Sequence, residues 1–535
     1  VRRVVYYAAF FLALAIGVNL NGQSKKEEIL KKLMAIYENV CNNYVDSVDT
    51  YDLEEAAIIG MLKELDPHSK YFPRKRMSDV SDGLKGEFEG IGIETSTIQD
   101  TITILSVFRK GPAEIAGLKT GDRLLAIDGE PAFNLKGDAL SNKLKGPVGS
   151  PVRMKVVRLK HSEPLTFTVV RDTVPIYSVD AAFIIDGTDV GYIRFKSFTA
   201  KAHTEVVDSI NMLISKGMTK LIIDLHGNTG GYLNQACDIA DEFIDGSQMM
   251  VYTKGRNHTL DKDYFSSNVG SFQNLPLIML CDKWTASASE ILIGAVQDLD
   301  RGLVIGETSF GKGLVQRQYR NDDGSGYRIT TSRYYTPSGR CIQRPFDDKD
   351  KYEDFAGRYD LDEGSKLEDL IKKIEAELPK DSLPPMYKTK LGRTVIGAGG
   401  ITPDYYVKYG NSTKLTDDLK RKKIMFCFAY NYYMKNETEL LRKYKNDFTD
   451  FLRNFSYKKS DIEEFRKYAE KNDIYWDPDH YEKDRDLILA ELKAELTRNI
   501  WSTNEYLMTM VPVTKQIGKA IELFPEAEKL AEMKP

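Results

Sequence analysis

The spacing of apolar positions changes character three times along the chain. From Lys25 to about Tyr71, Ile29, Leu33, Ile36 and Val40 recur three and four residues apart, which predicts helix, and Asp66-Pro67 ends the pattern. From Gly86 the runs FEGIGIET, TITILSVF, RLLAIDG, PVRMKVVRL and LTFTVVR are short and β-rich, with Gly, Pro and Asp turns between them. One helix-like run, Asp138 to Leu144, interrupts them ahead of the turn KGPVGSP. From about Thr173, DVGYIRFKSF, TKLIIDLHG, PLIMLCD and GLVIGE read as strands, and they alternate with helical runs at Lys201 to Lys216 and Tyr232 to Ile244, which predicts an α/β core. Phe346 to Pro385 is charge-rich and reads as an insertion, and after about Ser412 the pattern becomes long, charged and helical.

Length and composition agree with this division. A chain of 535 residues divides into three to five units at roughly 100–200 residues each. With 42% hydrophobic and 29% charged residues and a formal net charge of -4, it is globular and has no polycationic tract for nucleic acid. Five scattered cysteines without C-x-x-C pairing indicate neither a disulfide framework nor a zinc site. Residues 1–22 carry Arg2 and Arg3, an apolar run from Val4 to Val18 and a polar break, the pattern of a secretory signal. The run is short of the roughly 20 residues that span a bilayer, which favours cleavage over a retained anchor.

The segment GETSFGKGLVQ, Gly306 to Gln316, places Lys312 between two glycines and invites comparison with a phosphate-binding loop. That loop needs Ser or Thr after the lysine and a helix behind it. Gly313 stands where the hydroxyl belongs, and LVQRQYR alternates like a strand. A general-base role needs a nucleophile, and DKWTASASEILIGAVQD lies upstream. Ser287 precedes Glu290 by three residues at the head of an apolar helical run, the capping-box spacing. The same placement offers a hydroxyl at a helix N-terminus, where the N–H of Ala288 can stabilise an oxyanion. A lysine held neutral by burial can take the serine proton and return it to a leaving amine. On a strand Lys312, Leu314 and Gln316 share a face, so Gln316 could orient the lysine amine.

The stretch TASASEILIGAVQDLDRGLVIGETSFGKGLVQ resembles the active-site region of the C-terminal processing peptidases, also called tail-specific or carboxyl-terminal proteases. The resemblance implies Ser287 as nucleophile, Lys312, 25 positions later, as general base, and Gln316, four further on, as its support. Ser289 is then a helix residue. LDPHSKYF, Leu65 to Phe72, resembles the element closing the family's N-terminal helical region. The β-rich region resembles a PDZ domain, with GPAEIAGLKTGDRLLAIDG as its best-marked core and FEGIGI as its carboxylate-binding loop and strand, which assigns peptide binding to Phe88, Gly90, Ile91, Gly92 and Ile93. There, successive N–H groups capture a terminal carboxylate while the peptide adds as a strand. IIDLHGNTGG resembles the family's DLRxNPGG element and assigns the second oxyanion donor to Gly230 or Gly231. His226 stands where Arg is common and Thr229 where Pro is common.

The fold class implied is multidomain α+β: a ClpP/crotonase-like α/β peptidase core with a PDZ domain and helical N- and C-terminal regions. The expected boundaries are 1–22 (signal peptide or anchor), 23–85 (helical), 86–172 (PDZ), 173–411 (core, insertion about 346–385) and 412–535 (helical). The function implied is a serine endopeptidase, exported to a bacterial periplasm or envelope, that recognises protein C-termini, uses no metal or organic cofactor and forms dimers through its helical termini. A Ser287–His226–Asp224 triad is a rival assignment with His226 as base; with Lys312 as base, His226 is a structural residue or a neighbour of the site. The other histidines form no H-E-x-x-H cluster. A PDZ-bearing scaffold with a silent core is the alternative from another class.

Overall fold

The computed structural model describes residues 25–533 except 109, 134, 136, 347–351, 353–361 and 411, so the leader pattern in residues 1–22 lies outside the described residues. The chain forms two compact units.

The smaller unit takes the residues up to Lys75 together with Arg317–Ile329. Helix 25–43 is followed by Thr50–Lys63, whose first turn is capped by Asp49, its carboxylate accepting from the N–H groups of Tyr51 and Asp52. The punctuation LDPHS has a local cause: Asp66 accepts from the N–H groups of His68 and Ser69 at 2.8 and 2.9 Å and from the Ser69 hydroxyl at 2.7 Å. The turn delivers strand Lys70–Phe72, which pairs antiparallel with residues 326–328.

In the larger unit, the PDZ domain is a sheet in the order Ile93–Ile98, Thr101–Val107, Arg123–Ile127, Pro151–Val157, Leu165–Val170, every pairing antiparallel. Alternation decides which side faces the core: along Pro151–Val157 only Val152, Met154 and Val156 are buried. Strands Glu87–Gly90 and Asp172–Pro175 pair antiparallel where the chain enters and leaves the domain.

The α/β core is a six-stranded sheet in the order Val179–Ile184, Val190–Phe195, Lys220–Asp224, Leu277–Cys281, Leu303–Gly306, Tyr405–Tyr406, antiparallel at the first pairing and parallel at the rest. Strands Leu277–Cys281 and Leu303–Gly306 carry no charged residue and are buried along their whole length because both faces are covered. Helices Ala202–Ser215, Leu233–Asp241 and Ala288–Asp298 bury Val206, Ile210, Ile239 and Leu292 on one face. On the other, Lys515–Glu532 buries Ile517, Ala520 and Phe524 against Ile222, Ile278 and Leu280. The last helix of the chain thus completes the core. Between core and last helix, helices in Lys414–Ile500 share their own apolar centre around Leu419, Phe428, Phe465 and Ile488. Within the charge-rich 346–385 stretch, Leu367–Glu377 is a helix burying Leu367, Leu370, Ile371 and Ile374 against Val395 and Ile396.

One buried ion pair fixes the far end of Ala288–Asp298. Arg340 and Asp298 meet at 2.7 Å with both side chains fully buried, and Arg340 also donates to Gln297 at 2.7 Å. Removing one partner strands the other charge, so Arg340→Ala is expected to cost about 3–5 kcal/mol in urea unfolding, with part recovered by the paired apolar replacement Arg340→Met/Asp298→Leu.

Candidate active site

Three loops leave the same edge of the core sheet, after Asp224, Cys281 and Gly306, and carry Gly230–Gly231, Ser287 and Lys312 respectively. The middle loop is built on Asp282. Its Oδ1 accepts from the N–H groups of Gly227, Trp284 and Thr285 and from the Thr285 hydroxyl, all at 2.9–3.0 Å. The loop ends at Ser287, the N-cap of Ala288–Asp298, with φ 59° and ψ −115°. A non-glycine residue held there stores about 1–3 kcal/mol of strain.

Ser287 and Glu290 stand in the capping-box relation, with Glu290 Oε2 accepting the Ser287 N–H at 2.8 Å. The Ser287 hydroxyl makes no capping bond of hydrogen-bond length. Ser289 differs: its hydroxyl is committed to the Asn228 carbonyl at 2.9 Å and its side chain is fully buried.

Glu290 does far more than cap. It is completely buried, and its Oε2 also accepts from the Lys312 N–H at 2.9 Å, while Oε1 accepts from the Gly311 N–H at 2.7 Å and the Ser309 hydroxyl at 2.5 Å. Burial pushes its carboxyl above the ordinary value, and the hydrogen bonds from Ser309, Lys312, Ser287 and Gly311 pull it back. One oxygen therefore holds the backbones of both Ser287 and Lys312. Tyr334 makes a second tie between the two turns: its hydroxyl donates to the Ser287 carbonyl at 3.2 Å, and its N–H donates to the Gly313 carbonyl at 3.0 Å.

Lys312 is half-buried, and the glycines on either side are required by close approach. A Cβ at Gly311 would lie 2.9 Å from the Gly400 nitrogen, and one at Gly313 would lie 2.9 Å from the Gln343 nitrogen. Leu314–Arg320 is a strand, so no helix follows the lysine as a phosphate loop demands. Gln316 sits half-buried on this strand, and its side chain reaches Thr330 Oγ1 at a long 3.5 Å.

Gly230 is wedged beside Ser287: its missing Cβ would fall 2.8 Å from Ser287 Cβ and 2.9 Å from the Ala288 nitrogen. Its N–H donates to Asn228 Oδ1 at 2.9 Å. The N–H groups of Gly231 and Ala288 have no hydrogen-bond acceptor among the described residues. At Gly231 any side chain would meet the Phe198 carbonyl oxygen at 2.2 Å.

The Asp224–His226 pair exists, but it faces elsewhere. His226 Nδ1 lies 2.5 Å from Asp224 Oδ1, its ring lies against that of Tyr409 with centroids 4.0 Å apart and planes tilted by 38°, and neither ring nitrogen has a well-aligned hydrogen-bond partner among the described residues. Arg194 contacts the same Oδ1 at 2.5 Å and donates to the His226 carbonyl at 2.7 Å, and the Tyr192 hydroxyl donates to Asp224. Burial alone would raise the Asp224 carboxyl, but the charges of His226 and Arg194 hold it well below the usual range. Ser287 is not joined to this network.

In the PDZ domain a groove of about 550 Å³ runs between the edge strand Ile93–Ile98 and helix Asp138–Leu144, lined by Phe88, Ile91, Gly92, Ile93, Leu140 and Leu144 among others. Gly90 is not part of the lining and instead packs against the Phe88 ring. The N–H groups of Ile91 and Gly92 have no acceptor among the described residues, and the outer side of Ile93–Ile98 is open to another strand.

Sequence reasoning treated Glu290 only as a cap, and it overlooked Asn228, Asp282, Ser309 and Tyr334. The S-x-x-E spacing was the one visible signal. The others act through contacts between loops far apart in the chain.

Comparison with known proteins gives four matches: Peptidase family S41 over residues 189–348, a PDZ domain over 103–158, the activating protease CtpB N-terminal domain over 15–76, and a family of unknown function, DUF8443, over 415–502. The carboxy-terminal-processing protease of Bartonella bacilliformis is 34% identical over 354 residues, covering 64% of this chain and 80% of its own. The carboxy-terminal processing protease CtpB of Bacillus subtilis is 35% identical over 335 residues, covering 62% and 69%. Among solved structures, a photosystem II D1 C-terminal processing protease aligns at 26% identity over 58% of this chain and 88% of its own, with a TM-score of 0.33.

Glu290→Gln tests the shared carboxylate. Its NH₂ group must face at least one backbone N–H, that of Gly311 in one orientation or those of Ser287 and Lys312 in the other, so a loss of about 1–6 kcal/mol is expected in thermal or urea unfolding, with at least tenfold slower labelling of Ser287 by a fluorophosphonate. Unchanged stability and labelling would show that Glu290 does not hold the two turns.

Proposed function

The chain belongs to peptidase family S41, the carboxy-terminal processing proteases, and from that membership we propose that it cleaves proteins by a Ser287–Lys312 dyad after its PDZ groove has bound their C-terminal tails. The observation that carries the dyad is the common attachment of Ser287 and Lys312 to one oxygen of Glu290. The PDZ domain and the protease family both imply protein or peptide substrates.

In the first step Ser287 Oγ attacks the scissile carbonyl carbon and its proton passes to Lys312 Nζ. The oxyanion is received by the N–H groups of Ala288 and Gly231, with Gly230 leaving room beside the nucleophile. Collapse breaks the peptide C–N bond, and Lys312 gives its proton to the departing amine, leaving an ester on Ser287. Lys312 then takes a proton from water as the water attacks the ester. The second tetrahedral intermediate expels Ser287 Oγ, which recovers that proton, and the new carboxylate terminus leaves. Gln316 supports the lysine from the adjoining strand. His226 serves as a structural partner of Asp224, which its lack of any tie to Ser287 supports.

In the groove, the N–H groups of Ile91 and Gly92 receive the terminal carboxylate and the tail adds alongside Ile93–Ile98. Leu140 and Leu144 favour an apolar last residue. The relatives are bacterial, and the leader pattern supports export to the periplasm or envelope. No helix of the described residues is long and apolar enough to cross a membrane. Exposed Ile29, Leu33 and Ile36 on helix 25–43 support pairing of two copies.

The test is cleavage of an unstructured protein with a free apolar C-terminus. Ser287→Ala and Lys312→Ala are each expected to lower kcat/KM by at least ~10³-fold without loss of fold, and an acyl-enzyme should appear by mass spectrometry in wild type. Retained activity in Lys312→Ala would overturn the dyad. Equal cleavage of a substrate with an acidic tail would overturn the groove assignment.

A further inference from the structure

The helices in Lys414–Ile500 take no part in the steps above, yet three of their contacts reach the PDZ domain. Tyr430 lies over Gly121 so closely that a Cβ there would fall 2.0 Å from the ring Cζ. Gly121 adopts φ +84° in the turn before Arg123–Ile127, so this glycine serves both the turn and the contact. Burial, with Asp122 beside it, pushes the Tyr430 phenol up to about 12. Asn472, the residue ending helix Lys459–Lys471, accepts from Gln99 Nε2 at 2.5 Å. Glu437 pairs with Lys160 at 3.1 Å.

Strand register shows that these contacts grip one end of the PDZ sheet. Thr103 is opposite Arg123, and Arg123 is opposite Val157. The turns holding Gln99, Gly121 and Lys160 therefore lie side by side. They sit at the end of Ile93–Ile98 opposite its carboxylate loop, Ile91–Gly92. A peptide added antiparallel to this strand, with its terminus at Ile91–Gly92, leaves the groove at the Gln99 end, beside the helices.

We propose that residues 415–502, the part matching a family of unknown function, are a docking module for the chain's own PDZ domain. The module holds the turn end of the PDZ sheet so that a bound tail leaves the groove from a fixed position relative to Ser287. The docking rests on the contacts alone, and only its consequence for cleavage rests on the tail-binding reading. Tyr430 supplies the packing, and Gln99–Asn472 and Lys160–Glu437 set the rotation. The exposed ion pair contributes little by itself.

Hydrogen exchange on the full chain tests the docking. Tyr430→Ala and Gly121→Ala are each expected to speed exchange about tenfold at the turns containing Gln99, Gly121 and Lys160, with the amides packed around Phe465 and Ile488 unchanged. In the double variant the alanine methyl no longer meets a ring, so the effects should be clearly less than additive. Unchanged exchange at the turns in Tyr430→Ala, or full additivity, would overturn the docking. For the consequence, Tyr430→Ala should leave the affinity for a fluorescent apolar-tailed peptide and the rate of Ser287 labelling unchanged, while kcat/KM for the tail-bearing protein falls about tenfold. An unchanged kcat/KM would overturn the positioning role. Failure of the wild type to bind the peptide would instead sink the tail-binding reading, and the exchange result would still decide the docking.

Discussion

A carboxylate fully removed from water must recover its lost hydration from hydrogen bonds, and Glu290 recovers it from four donors. Those donors come from two loops, the one that ends at Ser287 and the one that carries Ser309, Gly311 and Lys312, so satisfying one charge fixes both. Ser309 extends the block by accepting the Ile401 N–H at 2.7 Å. The positive φ of Ser287 persists because the surroundings determine it: Asp282 shapes the approach, Glu290 holds the N–H and Tyr334 holds the carbonyl. Gly311 and Gly313 follow from the same constraint, since backbones drawn this close to Gly400 and Gln343 leave no room for Cβ atoms.

The parallel strands bring the loops to one edge, and the partners of two acids then separate their roles. Asp224 gathers Arg194, Tyr192 and His226 into an ion network that does not include Ser287. Glu290 gathers Ser287 with Lys312. Two candidate bases that were both conceivable from sequence thus differ in what their neighbouring carboxylates hold. The buried Asp224 network stabilises the sheet edge.

Covering the core sheet also organises the rest of the larger unit. The final helix closes the face opposite Ala288–Asp298, so the chain must travel from Tyr405–Tyr406 through the helices at Lys414–Ile500 before returning. That excursion carries Tyr430, Glu437 and Asn472 to the PDZ turns. A covering requirement in the core and a contact surface for the PDZ domain are met by one continuous stretch of chain.

Much was legible along the sequence because it is encoded by local period and spacing. Alternation in LVQRQYR excluded a helix behind Lys312, the short β-rich runs and GPAEIAGLKTGDRLLAIDG marked the PDZ domain, and the serine and lysine segments carried the family. The charge-rich stretch before Pro385 was legible as a solvated helix face but not as a packed helix, since the partners of Leu367, Leu370, Ile371 and Ile374, Val395 and Ile396, come later in the chain. The tail was legible as helical, but the surface its last helix covers was not, because that helix's apolar stripe has meaning only against the sheet. The sequence by itself determined the family, the order of its parts and the residue types available for chemistry, all properties of neighbouring residues. Only the tertiary structure decided that Glu290 is shared between the serine and lysine turns, that the Gly230 N–H is engaged while that of Gly231 is open, and that the tail helices meet the PDZ domain. Each of those depends on groups brought together from separate segments, and the free energy that joins them comes from burial and hydrogen bonding that no local window contains.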